Sequence, residues 1–136
     1  MYALAFYDRA EGSLLLSRDH VGMKPLYFMA DASGVVFASQ YNQIVNHPKA
    51  KGRSLSTEAV AMYLRFGYIP APGALLEGTE MVEPGCWVSF SRSGRITRDT
   101  YYEFPKECSP SLGPAEADEA IVDVLDRAVR RHLVCD

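Results

Sequence analysis

Several chemistries lack their signatures in this chain of 136 residues. There is no GxxxxGKS/T phosphate loop, no GxGxxG dinucleotide turn, no HExxH metal helix and no GxSxG nucleophile elbow. No apolar run approaches the ~20 residues needed to cross a bilayer. The opening, MYALAFYDRA, has neither a basic leader nor a small-residue cleavage site and does not read as a signal peptide. Cysteine is sparse: Cys86, Cys108 and Cys135 stand far apart with no CxxC pair, which excludes a sequence-legible zinc or redox motif. Basic excess is missing too. With 14 Lys and Arg against 17 Asp and Glu, the net charge is −3, so a nucleic-acid partner is not expected. The local basic groups, Lys49, Lys51 and Arg53, then Arg92, Arg95 and Arg98, lie in loop-like sequence and read as solvated surface.

What is present suits a folded, soluble, cytoplasmic domain with reduced cysteines: 48% hydrophobic and 23% charged residues. A chain of this length is able to bury about two-thirds of its unfolded surface. Its ends are unusual. YALAFY follows Met1 directly and RRHLVCD closes the chain, where a few loosely held polar residues are the norm. The chain reads as cut at both ends.

Residues 1–39 read as four strands. Tyr2 to Tyr7 is apolar on both faces, as for a strand covered on both sides. Asp8 to Gly12 is turn chemistry, and Leu14 to Leu16 returns. Leu26 to Met29 and Val35 to Ala38, joined by Asp31 to Gly34, form the next hairpin, and the two make an antiparallel meander. A short helix over 40–47 ends at Pro48. Ser56 caps a second helix, with Glu58 in its first turn, an apolar face of Ala59, Val60, Tyr63 and Leu64, and a stop at Gly67. Ile69 to Gly73 is a stiff connector. Cys86 to Phe90 and Ile96 to Phe104 form a hairpin, and residues 105–113 have linker composition. Pro114 opens a final helix whose acidic start, basic end and stripe of Ala117, Ile121, Val124, Leu125, Ala128 and Val129 are all helical signals. The class is α+β.

No active site is visible from residue types alone. His20, His47 and His132 are isolated, and no cysteine has a base or a helix start to activate it. The carboxylate pairs of the last helix are explained by helix stabilisation. The unusual segment is RDHVGMKPLY, residues 18–27. Gly22 permits a positive φ, Pro25 blocks a helix, and Asp19 is placed to accept backbone or arginine hydrogen bonds. The Arg18–Asp19 pair either anchors the turn or faces another domain.

These blocks carry a resemblance. YALAFYD, SRDHVGMKPLYF, VVFASQ, LRFGYIPAP and AVRRHLVCD resemble, in order, FAFALYD, RDxxGxKPLY, FASE, YLxFGYxPAPxTIFEGxxxLxPG and AVxxHLxSD of glutamine-hydrolysing asparagine synthetases, and Tyr63 to Gly85 matches in order. The resemblance covers nearly the whole chain. It implies an N-terminal-nucleophile glutaminase that frees ammonia with a first-residue cysteine. It also implies a synthetase domain that uses ATP and magnesium, through an SGGxDS loop, to convert aspartate to asparagine. Here Met1 is followed by Tyr2, and the chain stops before that loop.

The resemblance therefore implies an internal fragment, inactive alone, without catalytic, cofactor-binding or metal-binding residues. Residues 1–48 would be the C-terminal half of the glutaminase sandwich, 49–113 an interdomain connector, and 114–136 the first synthetase helix. Arg18, Asp19, Gly22, Lys24 and Gln40 are its structural or interface candidates. Gln40 stands where the family has Glu, and Asn42 where it has Lys. That departure leaves open another acceptor, such as a β-lactam or peptide ring closure. The alternative class is a stand-alone, non-catalytic interaction module. In either case the doubly apolar first strand predicts self-association.

Overall fold

The computed structural model describes residues 1–105 and 112–133. The chain divides into two compact units, Met1–Glu103 and Phe104–Asp136. The first unit contains two antiparallel sheets. One has strands β1 (Ala3–Asp8), β2 (Ser13–Arg18), β6 (Cys86–Phe90) and β7 (Ile96–Thr100), in the order β1-β2-β6-β7. The other has β3 (Tyr27–Asp31), β4 (Gly34–Ala38) and β5 (Thr79–Met81), in the order β4-β3-β5. The α+β class with antiparallel sheets and a C-terminal helix holds.

The continuous meander does not. The two predicted hairpins form, with Leu16 opposite Ala5 and Met29 opposite Val36, but they lie in different sheets. After Arg18 the chain turns and crosses to the second sheet, and β6 takes the place beside β2, with Val88 opposite Leu16. A hairpin fixes its own pairing through its turn, whereas the next neighbour is chosen by core packing.

The core explains the choice. Leu16, Val88 and Phe90 of the first sheet pack against Leu26, Phe28 and Val82 on the second sheet's side. The rings of Phe28 and Phe90 meet edge-on with centroids 5.4 Å apart. Burying each such side chain contributes about 1.5–3 kcal/mol. Because strand side chains alternate, Met29 points to the opposite face of its sheet. There it packs with Ile44 and Ala50 under Tyr27, Tyr41 and Leu76. Ile44 lies in α1 (Tyr41–Val45), so the short helix is shorter than the expected 40–47, and Pro48 opens a 3₁₀ turn, Pro48–Ala50. The Tyr41 hydroxyl accepts from Leu76 N–H at 2.8 Å and sits 2.9 Å from Thr79 Oγ1, tying α1 to β5.

The helix α2 (Thr57–Phe66) starts where expected: Ser56 Oγ accepts from Ala59 N–H at 3.2 Å. It stops at Gly67, whose φ of +77° only glycine adopts without strain. Of its expected apolar face Ala59 is buried, but Leu64 is 80% exposed. The strand predicted over 96–104 ends at Thr100, and β5 was not anticipated.

The first strand is the larger correction. Leu4, Phe6 and Tyr7 are 47%, 58% and 59% exposed, not covered on both sides. Strand β1 is an edge of its sheet.

In the second unit α3 (Pro114–His132) realises the expected helix. Arg127–Asp123 at 3.0 Å and Arg130–Asp126 at 2.7 Å lie on its polar side. Its apolar stripe, including Ile121, Val124, Leu125 and Val129, is exposed. Most of the predicted linker (residues 106–111), the last three residues, and hence Cys108 and Cys135 lie outside the described residues.

Candidate functional site

The turn after β2 holds the densest polar network of the first unit. Asp19 is 1% exposed. Its Oδ1 accepts from the backbone N–H groups of Val21 and Met23, at 3.2 and 3.0 Å. Its Oδ2 accepts from those of Tyr2 and Lys24, at 3.2 and 3.1 Å. Burial by itself pushes the Asp19 carboxyl pKa up, but these four N–H donors outweigh it and hold the group well below the usual carboxylate range. Asp19 therefore folds the turn around a buried charge, and its backbone carbonyl also accepts from Gly22 and Gly85, at 2.9 and 3.1 Å.

Arg18 performs the complementary task. It ends β2 on the core face, and its guanidinium donates to the carbonyls of Lys24 at 2.9 Å, Gly22 at 2.6 Å and Val82 at 2.8 Å, with Met81 Sδ at 3.1 Å. Met81 and Val82 belong to the second sheet's side, so this one side chain ties the two sheets together at that end. Burial draws its pKa down, while the nearby Asp19 and Tyr27 draw it back up.

The five residues singled out from sequence divide four to one. Arg18, Asp19, Gly22 and Lys24 share the turn. Gly22 has φ +70°, and a Cβ there would lie 2.9 Å from both Arg18 Cζ and Pro84 Cγ. Lys24 gives its backbone to the network and exposes its side chain. Gln40 stands apart, as the exposed N-cap of α1 with no side-chain capping bond. Sequence reasoning missed Tyr2 and Tyr101. The Tyr2 hydroxyl donates to Tyr101 Oη at 2.6 Å, and the Tyr101 hydroxyl donates to the Arg18 carbonyl at 2.6 Å. No local pattern links residues 83 positions apart.

Of the two readings of this pair, the contacts support anchoring. Asp19 spends its carboxylate on backbone N–H groups, and Arg18 spends its donors on carbonyls and sulfur. The turn presents His20, Val21, Met23 and Lys24 outward from a fixed backbone. Elsewhere, Cys86 Sγ contacts the Pro84 carbonyl at 3.5 Å and Thr100 Oγ1 at 3.4 Å. His20 lies against the Tyr102 ring at 5.0 Å, and His47 Nδ1 accepts from Lys49 N–H. Among the described residues no three His, Cys, Asp or Glu side chains gather as metal ligands. No described helix is long and apolar enough to cross a membrane.

Residues 1–102 match the family description of the glutamine amidotransferase domain. The chain belongs to that family. The match takes in both sheets and the Arg18–Asp19 turn. Among curated relatives, the chain is 29% identical over 103 residues to a putative asparagine synthetase (glutamine-hydrolyzing) 2 of Methanocaldococcus jannaschii, covering 75% of this chain and 20% of that protein. It is 28% identical over 143 residues to asparagine synthetase (glutamine-hydrolyzing) 3 of Bacillus subtilis, covering 100% and 22%. A putative asparagine synthetase (glutamine-hydrolyzing) of Mycobacterium tuberculosis is 27% identical over 142 residues, with the same coverage. This amidotransferase-domain chain thus spans about a fifth of the length of these relatives.

Proposed function

We propose that this chain is a structural part of a glutamine-dependent amide synthetase of the asparagine synthetase type. In this reading its two sheets, β5 to β7 included, belong to an N-terminal-nucleophile glutaminase sandwich, so the expected connector over 49–113 is largely part of that domain, and 114–136 open the synthetase domain. The whole enzyme would hydrolyse glutamine and pass ammonia to aspartate activated by ATP and magnesium. The observation that carries the reading is the Arg18–Asp19 turn inside the matched span: the segment with the most specific resemblance is the one that locks the two sheets together.

The chain by itself is read as non-catalytic. Cys86, the described cysteine, contacts a carbonyl and a threonine hydroxyl, and neither is a base to activate a thiol. The described residues do not suit ATP and magnesium, having no phosphate loop and no carboxylate cluster, so no step of the chemistry is assigned to them. The exposed edge of β1 favours the second reading, an interaction module, while Gln40 at the tip of α1 is the feature that favours a different acceptor.

Grafting residues 1–136 in place of the aligned segment of the Bacillus subtilis relative tests the proposal. Glutamine-dependent asparagine formation by the graft supports it. A folded graft that makes asparagine from added ammonia but not from glutamine contradicts it.

A further inference from the structure

Four strand ends meet at one end of the first sheet. Ala3 pairs with Arg18, Ser17 with Trp87 and Cys86 with Thr100, so β1 and β6 start where β2 and β7 finish. The chain leaves β7 there and folds back over the neighbouring strands. The N–H groups of Tyr101 and Tyr102 both donate to the Gly85 carbonyl, at 2.9 and 3.2 Å. Gly85 precedes β6, and its own N–H donates to the Asp19 carbonyl at 3.1 Å. The backbone of one residue thus joins the anchored turn to the exit from β7. Only glycine serves at this junction: its φ is +68°, and a Cβ would lie 2.5 Å from the Tyr102 carbonyl oxygen.

The two tyrosine side chains extend the same grip. The Tyr101 hydroxyl donates to the Arg18 carbonyl and accepts from the Tyr2 hydroxyl, each at 2.6 Å. It therefore reaches from the end of β7, one outer strand of the sheet, to Tyr2 at the start of β1, the other. The Tyr102 ring lies against His20, with centroids 5.0 Å apart. Arg18 and His20 flank Asp19, so each tyrosine holds one side of the turn. The compact unit they belong to ends at Glu103, immediately after them.

We propose that Tyr101 and Tyr102 are positioning residues, a clasp that fixes the chain's departure from the first unit against the Arg18–Asp19 turn. This rests on the reading above, in which glutamine-derived ammonia passes to a second centre carried by the chain beyond the unit. Transfer between two centres depends on their mutual placement, and a displacement of about 1 Å is enough to cost activity. The clasp acts on that coupling. It governs how much of the released ammonia is used, and neither the splitting of glutamine nor the addition of free ammonia.

The test uses the Bacillus subtilis graft carrying Tyr101→Phe, which removes the phenol's two hydrogen bonds and keeps the ring. Asparagine formed per glutamine hydrolysed should fall about fivefold, while glutamine hydrolysis and ammonia-dependent synthesis stay within about twofold. His20→Ala should lower the same ratio, and His20→Phe, which restores a ring against Tyr102, should recover it. In the 136-residue chain itself, hydrogen exchange reads the clasp directly. The Tyr101 and Tyr102 amides should exchange at least roughly tenfold more slowly than unstructured peptide, and faster in Tyr101→Phe. An unchanged ratio in Tyr101→Phe overturns the proposal. So does a parallel loss of all three activities, the mark of a merely structural role, and so do unprotected amides at 101 and 102. An unsubstituted graft that makes asparagine from ammonia but not from glutamine overturns the reading beneath the proposal, and the coupling role with it.

Discussion

The Tyr101 hydroxyl donates to the Arg18 carbonyl at 2.6 Å, a contact that closes 83 residues of chain onto the anchored turn. Loss of water around Tyr101 comes first in raising its pKa, to about 12. A raised phenol pKa means that the native state holds its proton where the unfolded state, near 10, has lost it. Stability from this contact is therefore complete below pH 10 and declines as pH rises from about 10 to about 12. Urea titrations across that window should show the decline, and Tyr101→Phe should flatten it. An equal slope in the two proteins would assign the loss to other groups.

Asp19 organises four backbone donors with one buried carboxylate, and truncation leaves them without their acceptor. Asp19→Ala should cost about 2–4 kcal/mol of unfolding free energy. Because the folded-state pKa is depressed, the contribution of Asp19 is present above the ordinary carboxylate range. It is lost as pH falls through that range and below it. Acid titration of wild type against Asp19→Ala checks both the size and the direction.

Gly22→Ala should destabilise by about 1–3 kcal/mol, since the added methyl meets Arg18 and Pro84 at a backbone angle that disfavours any side chain. Gly34→Ala is a useful contrast. Its φ is also positive, but open space surrounds the added atom, so it reports backbone strain without a clash and should cost less. Equal losses would remove steric contact with Arg18 from the account.

The Arg98–Glu80 pair joins β7 of one sheet to β5 of the other but is exposed. Glu80→Gln should therefore change stability by no more than about 1 kcal/mol. The same denaturant titration measures it, and a loss above 2 kcal/mol would mean that the edge depends on the ion pair itself.

Much of this was legible in advance where the cause is local. Ser56 and Gly67 bound their helix because capping and a left-handed stop are properties of a few adjacent residues. Asp31 to Gly34 made its hairpin for the same reason. Asp19 read correctly as an acceptor at a turn. The partners of Arg18 did not, because Val82 is 64 residues away and its carbonyl belongs to a connection no local pattern defines. Strand β1 misled in the opposite sense: two apolar faces indicate that a strand suits covered surroundings, and β1 lies at an edge with Leu4 and Phe6 exposed. Gln40 stood out by comparison with a family pattern, and its position at an exposed helix cap involves none of the turn's hydrogen bonds.

The central proposal is that the described residues form an anchored amidotransferase scaffold that does not by itself release ammonia from glutamine. Release of ammonia from glutamine by the purified chain, measured against a heat-inactivated control, tests it most directly. The account predicts release equal to the control; glutamine-dependent ammonia above it would contradict the claim.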